Sequence, residues 1–142
     1  MSRTFRVWVM ASVALLMACS SSFIKPRSLY ERLGGKGAIV AMVDDFMVRV
    51  MDDSRINGLF AQSNVDALKP RLVDQLCEAA GGPCTYTGAS MKKAHQGRGI
   101  GDVQFDAFTG DFTKSLDRFR VPEREKAEVL AILTKLRTAV VK

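Results

Sequence analysis

A single histidine, His95, is the residue of the 142-residue sequence with the clearest capacity for chemistry. It lies in the segment MKKAHQGRGI, four residues after Met91 and just before Gly97 and Gly99. Because residues four apart share a helix face and glycines commonly end helices, we expect His95 at the C-terminus of a short helix. Its Nδ1–H would then donate to the Met91 carbonyl, and Nε2 would be free to bind a metal. The local pattern alone favours the alternative, a surface histidine that caps a helix end.

One cation and two cysteines lie near enough in the sequence to contribute to such a site. Arg98 follows the predicted helix and is placed to meet an anionic group beside His95. Cys77 and Cys84 are seven residues apart around the segment AAGGP, and two cysteines make no metal-binding framework. Two free thiols and one disulfide that closes a short loop are both compatible with this spacing.

Apolar residues at helical spacing define the elements that must position the histidine. The four stripes are Ile39, Met42, Val43, Phe46 and Val50; Val65, Leu68, Leu72 and Leu76; Phe105, Phe108, Phe112, Leu116 and Phe119; and Val129, Ile132, Leu133, Leu136 and Val140. A glycine-rich segment precedes the first stripe, Gly81-Gly82-Pro83 ends the second, and Pro122 begins the last. No stretch alternates convincingly at period two. The pattern therefore predicts an all-α domain, with Met91 to His95 as an additional helical turn.

The N-terminal residues have the features of an export signal. An apolar run of twelve residues, Val7 to Ala18, follows two arginines. It is too short to span a bilayer but has the length of a secretory signal core. Its end, LMAC, resembles the lipobox of bacterial lipoproteins. We therefore expect residues 1–18 to be a signal peptide, Cys19 to be lipidated, and residues 19–28 to tether the protein to a bacterial membrane, facing the periplasm. An uncleaved N-terminus lying against the domain is the alternative.

The charge balance argues against a nucleic-acid partner. The formal net charge is +6, and two of these charges belong to the predicted signal peptide. The remaining basic residues are scattered through helical patterns and are not interleaved with aromatic residues, which is typical of a solvated or membrane-facing surface. The segment GGKGAIV matches neither common nucleotide-binding motif and follows no strand, so it predicts a bend between the first two helices.

Several separated motifs together resemble one family. The segments LYERLGGKGAI, VDDFMVRVMDDSRI, GGPCTYTG and MKKAHQGRGI, with Leu59 and Phe60 between them, look like a group 1 truncated haemoglobin in order and spacing. The resemblance covers essentially all of Leu29 to Val141, so we predict a globin domain over residues 29–142. It implies a shortened globin fold in which two helices pack over two and enclose a haem. The resemblance also implies haem b (iron protoporphyrin IX) held non-covalently, and no CxxCH haem-attachment motif occurs in the sequence.

The resemblance also implies roles for individual residues. His95 is the expected iron ligand, and Phe60 is the phenylalanine that packs flat against the porphyrin. Tyr86 and Arg71 fall where the family has side chains that reach the haem propionates, and Arg98 is a further candidate. The remaining positions are expected to line the His95 side of the haem, and they are Met91, Ile100, Phe105 and Phe108. Apolar walls, one imidazole and cations for carboxylates agree with the chemistry of a haem pocket.

On the opposite side of the haem, here called the distal side, the sequence departs from the family. The family commonly stabilises bound oxygen with a tyrosine and a glutamine, and here Met47 and Leu72 occupy those positions, with Leu68 beside them. None of the three donates a useful hydrogen bond, so we expect poor retention of oxygen relative to carbon monoxide. Gln75, one turn beyond Leu72, comes closer only if the helix is rotated. We expect Met47 to be an apolar filler; the alternative is a thioether ligand opposite His95.

These features are compatible with three functions. The first is a lipid-anchored haem protein that reversibly binds a diatomic gas. The expected gas is oxygen, and carbon monoxide and nitric oxide are the alternatives. The family's implied roles in oxygen transport and nitric oxide detoxification are weakened by the apolar distal residues, and no catalytic residue is assigned. The second is a redox or gas-sensing haem protein with an unidentified redox partner, and the third is a haem-free helical interaction module.

Overall fold

A computed structural model of the chain describes residues 25–142. The predicted signal peptide, Cys19 and most of the predicted tether lie outside the described residues. The helices are α1 (Leu29–Arg32), α2 (Gly35–Asp52), a 3-10 helix (Asn57–Phe60), α3 (Val65–Ala79), α4 (Met91–His95), α5 (Asp102–Arg118) and α6 (Glu123–Val140). No strand occurs between residues 25 and 142, which confirms the all-α prediction. In this part of the chain, every helix is too short or too polar to cross a bilayer.

The first bend of the chain is built by a capping box and a glycine. The Ser28 hydroxyl accepts a hydrogen bond from the Glu31 N–H, and the Glu31 carboxylate accepts one from the Ser28 N–H. This exchange satisfies exposed backbone donors at the start of α1. Gly34 then has a φ of 97°, a left-handed conformation that favours glycine, and α2 begins at the next residue. The structure thus confirms that GGKGAIV contains a bend between two helices.

The second helix, α2, is the centre of the core. It packs against α3 on one side and α5 on another, and α5 packs against α6. The predicted stripe on α2 is confirmed, because its residues are at most 2% exposed. Phe46 of this stripe meets Phe108 and Phe112 of α5 edge to face, with ring centroids 4.7 and 4.9 Å apart. These contacts fix how α2 lies on α5.

The third helix, α3, is closed by a cap at its start and a disulfide near its end. The Asn64 side chain accepts from the Ala67 N–H at 3.0 Å. Cys77 and Cys84 form a disulfide, which decides between the two alternatives that their spacing allowed. Pro70 lies inside α3 and carries no N–H, so one intrahelical hydrogen bond is missing there. The disulfide ties the last turn of α3 to the segment that leads toward His95.

One predicted core position is wrong. Phe119 continues the aromatic stripe of α5 in the sequence, but the helix ends at Arg118 and the Phe119 side chain is 40% exposed. The chain turns there because Arg120 adopts a φ of 54°, outside the right-handed helical region. The other four members of that stripe lie in the two apolar clusters described below, as does the predicted stripe of α6.

Candidate functional site

The geometry around His95 is the one that the sequence predicted. Its Nδ1 lies 2.8 Å from the carbonyl oxygen of Met91, one turn back. Because a carbonyl only accepts, Nδ1 carries a proton, and in the neutral form of the ring Nε2 is then the acceptor. Gly97 and Gly99 have φ values of 75° and 65° and follow α4 directly, which confirms that His95 stands at a helix C-terminus. The half-buried imidazole is therefore oriented by its own helix, with one nitrogen available for a metal.

The predicted haem-lining residues divide between two apolar clusters. The main core contains Met47 and has Phe60, Leu68, Leu72 and Phe108 packed against it. The second cluster contains Ile100 and Phe105 and has Met91 packed against it. Leu59, next to the 3-10 helix residue Phe60, packs against both clusters. The structure therefore gathers eight of the predicted lining residues into two apolar groups that share Leu59.

The incomplete burial of these residues supports a ligand of apolar character. The stripe of α2 is fully buried, whereas five of the predicted lining residues are only half-buried, namely Phe60, Leu68, Leu72, Met91 and Phe108. They retain apolar surface that a flat apolar ligand would remove from water. One imidazole ligand with apolar walls on either side is the environment that a haem iron has in globins. The residues present thus fit a haem group.

No hydrogen-bond donor is contributed by the three distal residues. Met47 is 1% exposed and belongs to the main core, while Leu68 and Leu72 are half-buried on α3. The amide of Gln75 donates to the Met91 sulfur at 3.2 Å, so this side chain bridges α3 and α4. Its amide is thereby engaged on the helix that carries His95. The described geometry supports an apolar distal side.

The predicted propionate ligands differ in their surroundings. Arg71 and Arg98 are exposed, and within residues 25–142 neither pairs with a carboxylate. The Tyr86 hydroxyl donates to the Ala89 carbonyl at 2.9 Å, inside its own loop. Its ring covers Gly88, where an added Cβ would lie 2.3 Å from the Tyr86 oxygen. The two arginines can therefore receive anionic groups, whereas the Tyr86 hydroxyl already has a partner.

One residue that sequence reasoning missed supports the apolar wall. Arg137 of α6 lies over the ring of Phe105, 4.9 Å from its centroid, and pairs with Asp102 and Asp106 at 2.5 and 2.8 Å. The hydrogen bonds that Arg137 donates to these two carboxylates raise its pKa, and the charged guanidinium lies over the ring. Carboxylates four residues apart at the start of α5 were the available signal. Only the fold shows that Arg137 of α6 meets them.

A polar network also holds α2 against α5, in addition to the aromatic contacts of Phe46. The Asp45 carboxylate accepts from Ser115 at 2.8 Å and pairs with Arg49 and Arg118 at 2.8 and 3.2 Å. Although burial acts to raise the pKa of Asp45, these hydrogen bonds and charges prevail and lower it. The carboxylate is therefore held in its charged form between the two helices.

The all-helical fold, the imidazole at the end of a short helix and the two apolar clusters match the class of globin-type, haem-binding proteins. The sequence model of the bacterial-like globin family matches residues 28–142, and the chain belongs to that family. Membership implies haem-based binding of a diatomic gas.

Individual relatives are more specific. The chain is 38% identical to a group 1 truncated hemoglobin of Mycolicibacterium paratuberculosis, over 79% of this chain and 82% of the relative. A truncated hemoglobin of Tetrahymena pyriformis, solved in its Fe(III) form, superposes with a TM-score of 0.78 at 28% identity, over 81% of this chain and 98% of that one. A 2/2 hemoglobin of Synechococcus with covalently attached heme gives 0.77 at 32% identity, with the same coverage. These matches confirm both the truncated globin fold and the resemblance to group 1.

Proposed function

We propose that the protein reversibly binds a diatomic gas, with oxygen as the first candidate, at the iron of a haem ligated by His95. The observation that carries the proposal is the 2.8 Å hydrogen bond between His95 Nδ1 and the Met91 carbonyl. It fixes the tautomer in which Nε2 has a free lone pair, as an iron ligand requires. The half-buried apolar residues on either side supply walls that would exclude water from the haem faces.

The haem in this proposal is of type b and is held without a covalent bond. Cys77 and Cys84 are joined to each other, so neither offers a thiol for a thioether bond. His95 is the only histidine of the chain, and the proposal assigns it to the iron, so no second histidine remains for a covalent bond to the haem. The Synechococcus relative carries a covalently attached heme. In this chain Arg71 and Arg98 are proposed to bind the propionates by charge instead, aided by the loop of Tyr86.

Gas retention at this site is proposed to be weak for oxygen. Met47, Leu68 and Leu72 offer apolar contacts but no donor to a partly charged ligand. A charge-assisted hydrogen bond contributes about 1.5–3 kcal/mol, and its loss corresponds to roughly a ten- to hundredfold change in affinity. Carbon monoxide, which is less polar when bound, loses less. Short-term binding therefore fits this pocket better than storage, and oxygen transport is the weaker form of the proposal.

The protein is further proposed to be exported and anchored in a bacterial membrane through lipidated Cys19. The support is the sequence of residues 1–19, with its two arginines, apolar run and lipobox-like end. The Cys77–Cys84 disulfide is compatible with an oxidising compartment such as the periplasm. Acyl chains contribute about 0.8 kcal/mol per buried methylene, so more than one chain on Cys19 gives stable anchoring.

Absorption spectroscopy on the full chain tests the haem proposal. Protein made in haem-supplied cells is expected to show an intense Soret band that His95→Ala abolishes or strongly weakens. Gln96→Ala changes an exposed neighbour and is expected to leave the band intact. A folded, colourless wild-type protein would instead support a haem-free helical module. A low-spin ferric spectrum that Met47→Leu removes would assign a His95–Met47 ligand pair and a redox role.

A further inference from the structure

The segment that carries His95 differs in charge from the rest of the domain. Residues 79–101 contain no aspartate or glutamate, and their only charged side chains are Lys92, Lys93 and Arg98. All three are exposed. Because Arg98 is already assigned to a haem propionate, we call the two lysines, Lys92 and Lys93, the cationic edge.

Charges elsewhere in the domain are largely neutralised. On α2 the cations Lys36 and Arg49 pair with carboxylates, and on α5 Lys114 and Arg118 do the same. Within residues 25–142, no carboxylate pairs with any member of the cationic edge. Asp102, which follows the segment, is engaged by Arg137. The cationic edge is therefore a local positive field in a domain of mild net charge.

The cationic edge lies on the same short helix as His95, the proposed iron ligand. Lys92 and Lys93 precede His95 on the five-residue helix α4, and Arg98 follows it by three positions. The four residues after the histidine, 96–99, are all exposed. His95 itself is half-buried, so the proposed iron ligand lies near the surface of the domain. Two adjacent lysines are more cations than the propionates need once Arg71 and Arg98 are assigned to them.

We propose that the cationic edge is a docking surface for an acidic electron-transfer protein that reduces the ferric iron. The inference rests on the proposed haem function. One electron passes from the donor's cofactor to the iron; the donor is oxidised by one electron, ferric becomes ferrous, and no bond forms or breaks. Charge complementarity steers such encounters and raises their association rate. Ferrous iron is the state that the proposed oxygen binding requires, so docking here serves the same site.

A protein partner fits this surface better than a lipid bilayer does. Peripheral membrane surfaces combine basic residues with exposed apolar or aromatic side chains that enter the interface. The exposed large apolar residues of the described chain are Val40, Val48, Met51, Val103 and Phe119, and none lies within residues 79–101. The cationic edge offers charge without an apolar insertion surface, which matches the polar, transient interfaces of electron-transfer pairs.

Stopped-flow reduction of the full haem-loaded chain tests the inference. The probe is a reduced flavodoxin, an acidic one-electron donor, and the readout is the Soret shift from ferric to ferrous protein. In the variant K92E/K93E the second-order rate constant is expected to fall at least tenfold at low ionic strength. The difference is expected to close near 0.5 M salt, since the Debye length then falls to roughly 4 Å.

The matched control makes the same change of charge near the start of α6, far from the cationic edge. Arg120 and Arg124 are exposed, and Arg124 lies roughly 18 Å along the helix from Leu136, which packs against the cluster of Met91. R120E/R124E is expected to keep the wild-type rate within twofold. Carbodiimide cross-linking provides a readout without electron transfer. Mass spectrometry should find Lys92 or Lys93 joined to flavodoxin carboxylates.

Several outcomes overturn the inference. If K92E/K93E and R120E/R124E slow reduction by flavodoxin equally, the slower rate comes from net charge and not from the cationic edge. If K92E/K93E stays slower than the wild type at high salt, the slower rate comes from a changed fold. Binding of vesicles rich in phosphatidylglycerol that K92E/K93E abolishes, with an unchanged reduction rate, would identify a lipid surface instead. A purified chain without a Soret band refutes the proposed function itself, whereas normal haem content with an unchanged variant rate refutes only the docking.

Discussion

At the scale of single residues, the site depends on how backbone and side chains orient one imidazole. The Met91 carbonyl fixes the protonated nitrogen of His95, and the terminal glycines stop the helix so that the ring stands at its end. Gln75 is also decided at this scale, because its amide donates to the Met91 sulfur rather than standing among the distal leucines. The sequence could predict the contact between His95 and Met91, because residues four apart lie about one helical turn from each other. It could not predict the contact between Gln75 and Met91, because these residues are sixteen apart in the chain.

Adding a hydroxyl at position 47 is expected to restore what the distal side lacks. Met47→Tyr places a phenolic O–H where the family has one, and the oxygen dissociation rate should fall roughly ten- to hundredfold. Carbon monoxide dissociation should change far less. The measurement is displacement of oxygen by excess carbon monoxide in a stopped-flow spectrometer.

Met47→Phe is the matched control for this substitution. It introduces the same ring without the hydroxyl, so it separates hydrogen bonding from the overpacking of a side chain that is 1% exposed. Such overpacking costs about 1–3 kcal/mol of stability in both variants. If Tyr and Phe at position 47 release oxygen at the same rate, the missing donor is not what limits retention.

At the scale of elements, sequence patterns predicted what depends on neighbours along one helix. The stripe on α2, the short helix α4 and the end of α3 before Gly81 were all predicted, because apolar period and glycine positions are local signals. Phe119 shows the limit of that reasoning. It continues the period of α5, but the turn at Arg120 ends the helix first. Periodicity does not report where a chain must turn to meet the next element.

Contacts between helices could not be predicted from the sequence for a related reason. The alternatives for Cys77 and Cys84 stayed open because spacing does not show which way two side chains point. Arg137 could not be assigned to Phe105, Asp102 and Asp106 without knowing that the end of α6 lies along the start of α5. The site residues that came from the family resemblance share this dependence, since only the fold brings α3, α4 and α5 together.

The aromatic contacts between α2 and α5 should dominate the stability of the helix sandwich. Phe46→Ala removes a ring that is 1% exposed and touches both Phe108 and Phe112, so the free energy of unfolding should fall by about 3–5 kcal/mol. Phe119→Ala removes an equal volume from a position that is 40% exposed and should lower it by only about 1–2 kcal/mol. Urea titration followed by circular dichroism compares the two midpoints. Similar losses would contradict the asymmetry in burial.

At the scale of the whole molecule, the domain combines a haem-type interior with an uneven surface. The described helices pair most of their cations with carboxylates, yet the segment around His95 carries only positive charge. An anchor at Cys19 would add a second constraint, since nine residues, 20–28, separate it from Leu29, where α1 begins. Nine residues span at most about 32 Å even when fully extended, so the proposed anchor would keep α1 within that distance of Cys19.

Lipidation at Cys19 should be visible in the mature protein. If residues 1–18 are removed and the new N-terminal cysteine is acylated, cells fed labelled palmitate should incorporate the label, and Cys19→Ser should abolish it. The double variant C77S/C84S tests whether another cysteine accepts the label. It should remain labelled, because those sulfurs are joined to each other inside the domain. Intact mass spectrometry tests the alternative of an uncleaved N-terminus. An unlabelled chain that begins at Met1 would show that the apolar segment is kept and that no lipid anchors the protein.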